Sequence, residues 1–280
     1  MARYDVSTWA QFVQAWRDTV GGDTIEVNAD LDVNDDIPSS QINDHEGAGS
    51  GTVTINGNGH TLYNLAGGNP YSGVIFDSTY QLHVFNRLNI QNMDLTRPAF
   101  TGYSNGSRIT FNDCNIQGRA SGVPFFTGYI TLNRCTCTFT NTTSIITENQ
   151  CNFTYCWIYL RNCHKTWGGE DAALIRHLNT CYIKGDVTYG ADTSSIVSDA
   201  VEDVQNCCFN VTINAGYSGL RADYYCYNAN GAKITIINID KLPSGTTASE
   251  DPQAIAVTDV QMKDADYLAS IGFDIVPSSE

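Results

Sequence analysis

The chain has 280 residues, of which 42% are hydrophobic and only 16% charged, a balance that excludes a disordered polyelectrolyte. Thirty acidic residues stand against fifteen basic ones, for a net charge of -15. That excess repels phosphate backbones and anionic lipid, so neither nucleic acid nor a membrane is an expected partner.

The N-terminus, MARYDVSTWAQF, shows no apolar signal-peptide core and no cleavage site, so no signal peptide is expected. No run of 18 apolar residues occurs. Thr8 and Gln11 have the spacing of a capping box. Trp9, Phe12, Val13, Trp16 and Val20 follow at helical spacing, and Gly21-Gly22 is the expected stop. Residues 1–21 therefore read as a cap helix that plugs the first coil of whatever follows. Asp23 to Val33 alternates like a strand.

A six-residue run then repeats. It reads FNRLNI from Phe85, FNDCNI from Phe111, LNRCTC from Leu132, FTYCWI from Phe153, LNTCYI from Leu178 and VQNCCF from Val204. DYYCYN from Asp223 is a degraded seventh copy. The fourth positions are Leu88, Cys114, Cys135, Cys156, Cys181, Cys207 and Cys226, separated by 26, 21, 21, 25, 26 and 19 residues. Such a period fits one turn of a β-solenoid, with insertions in the loops.

Positions four and six lie on one face of a strand and are apolar, so they face a core. Position one is also apolar, yet strict alternation from position four would turn it outward. A corner between them resolves the conflict. Position two carries Asn86, Asn112, Asn133, Thr154, Asn179 and Gln205, and Asn tolerates the left-handed backbone of a tight corner, so the corner is assigned there.

The cysteine column then has a packing explanation, because a thiol behaves as a small apolar residue in a narrow lumen. Cys151 and Cys163 fall outside the column and are the candidates for a disulfide or metal role. The close pairs Cys135/Cys137 and Cys207/Cys208 lack zinc-ligand spacing.

The repeat, its asparagine row and the stretch GTVTINGNGHTLYNL from Gly51 to Leu65 resemble the right-handed parallel β-helices of the pectate-lyase-like superfamily. The resemblance spans residues 22–240. It implies an all-β fold, a single-domain right-handed parallel β-helix with an N-terminal capping helix and a short C-terminal helical segment.

Residues 241–280 begin with a linker, KLPSGTTASEDP from Lys241. Thr258 and Gln261 form a second capping-box pair, ahead of a helix through Met262, Ala265, Leu268 and Ile271 that ends at Gly272. Two readings stand: a second cap folded on the last coil, or a docking segment for a partner.

Many β-helices cleave acidic polysaccharides, and the required groups are not arranged for it here. The acid pairs Asp35-Asp36, Glu170-Asp171, Glu202-Asp203 and Glu250-Asp251 lack a companion Arg-x-Lys. Asp113, Asp186, Glu202 and Asp203 do not stack in register as a calcium cage, and Arg87, Arg134, Arg161 and Arg176 are scattered. Gly59-His60 reads as a turn. His45, His60, His83, His164 and His177 show no ligand spacing, and GxSxG, HExxH and P-loop motifs do not occur. The Asn-x-Ser/Thr triplets at Asn105, Asn141, Asn152 and Asn210 reflect composition. No catalytic, cofactor-binding or metal-binding residue is assigned.

Trp157, Tyr159, Tyr182, Tyr224, Tyr225 and Tyr227 fall on outward positions. There they either stack on sugars or a protein partner, or pack beneath long loops.

The segment VQMKDADYLASIGFDIV, Val260 to Val276, is similar to short tail segments of bacteriophage structural proteins. The resemblance implies a non-enzymatic virion component (capsid decoration, head fibre or tail protein), assembled in the host cytoplasm. Its implied partners are other virion proteins, further copies of itself and a surface glycan. The alternative is a carbohydrate-binding or polysaccharide-cleaving β-helix, either a tailspike-like depolymerase or a pectate-lyase-like enzyme.

Overall fold

The computed structural model describes residues 1–33, 51–63, 76–78, 82–95, 100–102, 108–120, 125–141, 146–147, 151–165, 177–189, 204–215, 235–241 and 254–273. It is an all-β parallel β-helix. The chain divides into two compact units, Met1–Thr138 and Phe139–Glu280.

In the first unit, one ladder holds Arg3–Val6, Thr24–Val27, Thr52–Asn56, Leu82–Asn86, Ile109–Asn112 and Ile130–Asn133, each parallel to the next. A second holds Leu31–Asp32, Thr61–Tyr63, Asn89–Leu95 and Asn115–Ala120. A third is made by Phe76–Ser78, Phe100–Gly102 and Phe126–Gly128. Repeat positions coincide in register: Phe85 pairs with Phe111 and Phe111 with Leu132. The lumen is aromatic. Phe85 stacks on Phe111 at 5.1 Å between ring centroids, and Phe100 meets Phe111 edge-on at 4.9 Å. Burying each such ring contributes about 1.5–3 kcal/mol.

Helix α1, Trp9–Asp18, closes the start of this unit. Its N-cap is the Thr8–Gln11 capping box expected from sequence. Trp9, Phe12, Val13 and Trp16 are buried, and Trp16 lies flat on His83 at 4.1 Å, beside Phe85. Two details differ from the sequence reading. The cap segment opens with a strand, Arg3–Val6, which extends the first ladder by one rung. Val20 lies beyond the helix, which ends at Asp18, and is 47% exposed.

The corner also differs. The left-handed residue is at position three of the repeat, not position two. Arg87, Asp113, Arg134, Tyr155, Thr180 and Asn206 have φ between 50° and 56°. The corner keeps its rungs: Arg87 N–H donates to Asn112 O (2.9 Å), Asp113 N–H to Asn133 O (3.0 Å) and Tyr155 N–H to Asn179 O (2.9 Å). The left-handed step turns the chain so that positions one and four both face inward. Position two stays extended, and its side chain points outward where it can stack. Gly57, in the first full coil, is a glycine for a different reason: a Cβ there would lie 2.5 Å from the Cα of Leu88.

In the second unit, Cys151–Thr154, Leu178–Asn179 and Val204–Gln205 form one parallel ladder. Trp157–Lys165, Tyr182–Tyr189, Cys208–Ala215, Thr235–Asn238 and Ala254–Val257 form the other. Its long strands bend where the register shifts between Leu160 and Cys163. Gly185 sits there with φ +134°, and a Cβ would lie 1.7 Å from the carbonyl oxygen of Leu160. The C-terminal helix expected as one piece is two: α2, Asp259–Met262, capped by the Thr258–Gln261 box, and α3, Ala265–Ser270, capped by Asp264. The break at Lys263–Asp264 turns Leu268 back toward the strands.

Candidate functional surface

Stacking in register creates three outward features. The first is an amide ladder along position two of the first unit. Asn86 Nδ2 donates to Asn56 Oδ1 (3.2 Å), Asn112 Nδ2 to Asn86 Oδ1 (3.0 Å) and Asn133 Nδ2 to Asn112 Oδ1 (2.9 Å). Asn56 in turn donates to Glu26 at 2.9 Å, and this bond is the chief reason the Glu26 carboxyl titrates below its ordinary value. These side chains are half-buried, so the ladder is a satisfied part of the scaffold.

The second feature is the corner column. Asp113 and Arg134 are both exposed and form a bidentate pair, Nε and Nη2 each 2.7 Å from a carboxylate oxygen. The guanidinium holds the Asp113 carboxyl below the usual range. A carboxylate so held is a poor general acid at neutral pH. Arg87 reaches back to Asn58 Oδ1 at 3.4 Å.

The third feature answers a question the sequence left open. Position five of the second unit forms an outward row, Trp157, Tyr182, Cys208, Ile236 and Ile255, paired in register. Met262, Leu268 and Phe273 lie on this row and bury it. The C-terminal segment is thus a strap along the outer face of the ladder. Tyr182 is 3% exposed, and burial pushes its hydroxyl up in pKa while Asn210 donates to it at 3.2 Å. Trp157 meets it edge-on at 4.9 Å. Two of the outward aromatics therefore pack beneath the chain's own tail. Tyr159 is half-buried, and Tyr224, Tyr225 and Tyr227 lie outside the described residues.

Among the described residues, the remaining candidates do not converge. Asp186 accepts the N–H of Asn162 at 2.8 Å. His60 donates its N–H to Gly57 O at 2.8 Å, closing the turn expected for Gly59-His60, and its Nδ1 lies 3.5 Å from Asp30. His83 is in the core, Arg161 is exposed, and His164 and His177 are half-buried. Asn141 accepts from Asn162 Nδ2 at 2.7 Å, and Asn210 from Asn238 at 2.9 Å. The pairs Asp35-Asp36, Glu170-Asp171, Glu202-Asp203 and Glu250-Asp251, with His45, Asn105, Arg176 and Cys226, lie outside the described residues. Among the described residues, no group of three or more His, Cys, Asp or Glu side chains is placed to hold a metal ion.

The nine described cysteines are buried thiols. Cys151 and Cys163, singled out by sequence as exceptions, are free and buried like the rest. Cys163 Sγ donates to Phe139 O at 3.4 Å, as Cys135 does to Phe111 O at 3.5 Å.

These features define a class: a stacked parallel β-helix whose distinctive residues build the scaffold and whose outer surface is left for contact. Comparison with protein families agrees. Residues 3–151 match the pectate lyase-like adhesive domain family, more than half of the chain, and the protein belongs to that family. Comparison with curated proteins and with solved structures returned no match.

Proposed function

We propose that the chain is a non-catalytic adhesive and structural β-helix that serves as a component of a bacteriophage particle, as capsid decoration, head fibre or tail protein. The observation that carries the non-catalytic reading is the fate of its polar residues. The amides of the repeat bond one another coil to coil, and the exposed carboxylate of Asp113 is neutralised by Arg134. Polysaccharide-cleaving sites need two carboxyl groups held apart across a groove with different proton affinities. Stacked coils suit an adhesive part, since each coil adds rigidity and helix α1 closes the first of them.

The virion assignment rests on the likeness of Val260–Val276 to phage tail segments and on the acidic composition. Its partners on this reading are neighbouring virion proteins and further copies of the chain, with a surface glycan as the contact outside the particle. The place of action is the virion, after assembly in the host cytoplasm.

The test is location. An antibody raised against the recombinant chain, gold-labelled, is applied to purified particles of the phage that encodes it and viewed by electron microscopy. Regular labelling of heads or tails supports the assignment. Unlabelled particles, with the chain recovered only from the host-cell fraction, overturn it.

A further inference from the structure

The buried thiols occupy matching positions of successive coils. In the first unit, Cys114 and Cys135 are one coil apart. Thr136 N–H donates to Cys114 O at 2.9 Å and Asp113 N–H to Asn133 O at 3.0 Å, which fixes the register on both sides of the pair. In the second unit, Cys156, Cys181 and Cys207 form a row of three. Tyr182 N–H donates to Cys156 O and Cys208 N–H to Cys181 O, each at 2.9 Å. All five thiols are free and buried.

Register sets the distances. Neighbouring strands lie about 4.8 Å apart. A disulfide needs Cα atoms about 4.4–6.8 Å apart and Cβ atoms about 3.5–4.5 Å apart. In-register cysteines meet the first condition and fall just outside the second. A bridge therefore closes with a small inward movement and stays strained, and strained bridges are easily reduced.

We infer that the stacked thiols are a latent redox lock: Cys114 with Cys135, and Cys181 with either Cys156 or Cys207, close into reversible disulfides between coils when the protein meets a small-molecule disulfide. The chemistry balances as exchange. One cysteine thiolate attacks the oxidant's S–S bond, forming a mixed disulfide and releasing one oxidant thiolate. The stacked partner, after losing its proton to water, displaces the second. The protein loses two protons and two electrons per bridge, and the oxidant is reduced to two thiols. Burial holds the Cys181 thiol well above its ordinary pKa, so the first thiolate forms only when a coil opens to water. The lock is thus silent in a reducing compartment and slow to close outside it. Each bridge shortens the loop available to the unfolded chain and so raises the melting temperature. The inference concerns the lumen and is independent of the virion assignment.

The full chain is incubated with excess oxidised glutathione a few degrees below its melting temperature. Remaining thiols are then alkylated and the digest is mapped by mass spectrometry without reduction. The lock predicts a Cys114–Cys135 cross-linked peptide and one bridge from Cys181, each lighter by two hydrogens. It also predicts a raised melting temperature that dithiothreitol restores. Cys135→Ala or Cys114→Ala removes only the first bridge, and Cys181→Ala only the second. Full alkylation of all five thiols, glutathione adducts without cross-links, cross-links between other pairs, or bridges that leave melting unchanged each overturn the inference.

Discussion

Removing one rung of the amide ladder isolates what register contributes to stability. Asn112 both donates to Asn86 and accepts from Asn133, at 3.0 and 2.9 Å. Asn112→Ala deletes both bonds. A net intramolecular hydrogen bond is worth about 0.5–1.5 kcal/mol, so the loss is about 1–3 kcal/mol. The site is half-buried, so water replaces part of each bond and the cost stays within that range. Arg134→Ala, one coil on, is the matched control. It deletes an exposed ion pair, whose loss costs about 0.2–1 kcal/mol. Urea unfolding, followed by far-UV circular dichroism and by tryptophan fluorescence, measures both. The midpoint of Asn112→Ala is expected below that of Arg134→Ala, with unchanged slope. If Asn112→Ala unfolds at the same urea concentration as Arg134→Ala, the ladder is decoration and its place in the scaffold is wrong.

Other perturbations probe the corner, the lumen and the charges. Thr180 holds a left-handed backbone that a β-branched residue disfavours and asparagine tolerates, so Thr180→Asn should stabilise by about 0.5–1 kcal/mol in the same urea assay. Cys156→Asp places a charge in a fully apolar row and should leave no folded protein by circular dichroism; an unchanged melting curve sinks the inward column. Gly185→Ala forces a Cβ onto Leu160 O at a left-handed position and should cost about 3 kcal/mol or more by urea unfolding. The carboxyls of Asp23, Glu26 and Asp113 are all held below their ordinary values, chiefly by the backbone N–H of Ala2, the Asn56 amide and Arg134. The fold favours their charged forms. Their contribution is therefore full above the unfolded carboxyl pKa of about 4, and is lost as pH falls through the lower folded values. Melting temperature should be level near neutrality and fall below about pH 4, less steeply in Asp113→Asn.

The fold was legible because the repeat is written in residues that have one job. Phe85, Phe111 and Leu132 are apolar at position one, and Leu88, Cys114 and Cys135 follow three residues later, so the lumen and the coil period are read directly. The starts of α1 and α2 were legible for the same reason, since Thr8–Gln11 and Thr258–Gln261 are local signals, whereas the second start at Asp264 was not expected. The corner was misplaced by one residue because the left-handed position carries Arg, Asp, Arg, Tyr, Thr and Asn in turn, a set with no common chemistry. Backbone rungs on both sides impose that conformation whatever the side chain. Asparagine at position two drew the assignment, but its role is the amide ladder, which depends on contacts 21–30 residues away in sequence. The outward aromatics were ambiguous for a related reason. The row Trp157, Tyr182, Cys208, Ile236 and Ile255 is assembled across five strands, and nothing in any one of them announces that Met262, Leu268 and Phe273 will cover it. A signal was present in the sequence: position five changes from Asn89, Asn115 and Thr136 to these less polar residues.

A non-catalytic adhesive scaffold is tested most directly by exposing the purified chain to acidic and neutral polysaccharides for extended times. New reducing ends and the ultraviolet absorbance of unsaturated uronide products are read together. The scaffold predicts no product above the blank, even with protein in stoichiometric amount. Sustained release over many turnovers, abolished by replacing a single carboxylate, would contradict it.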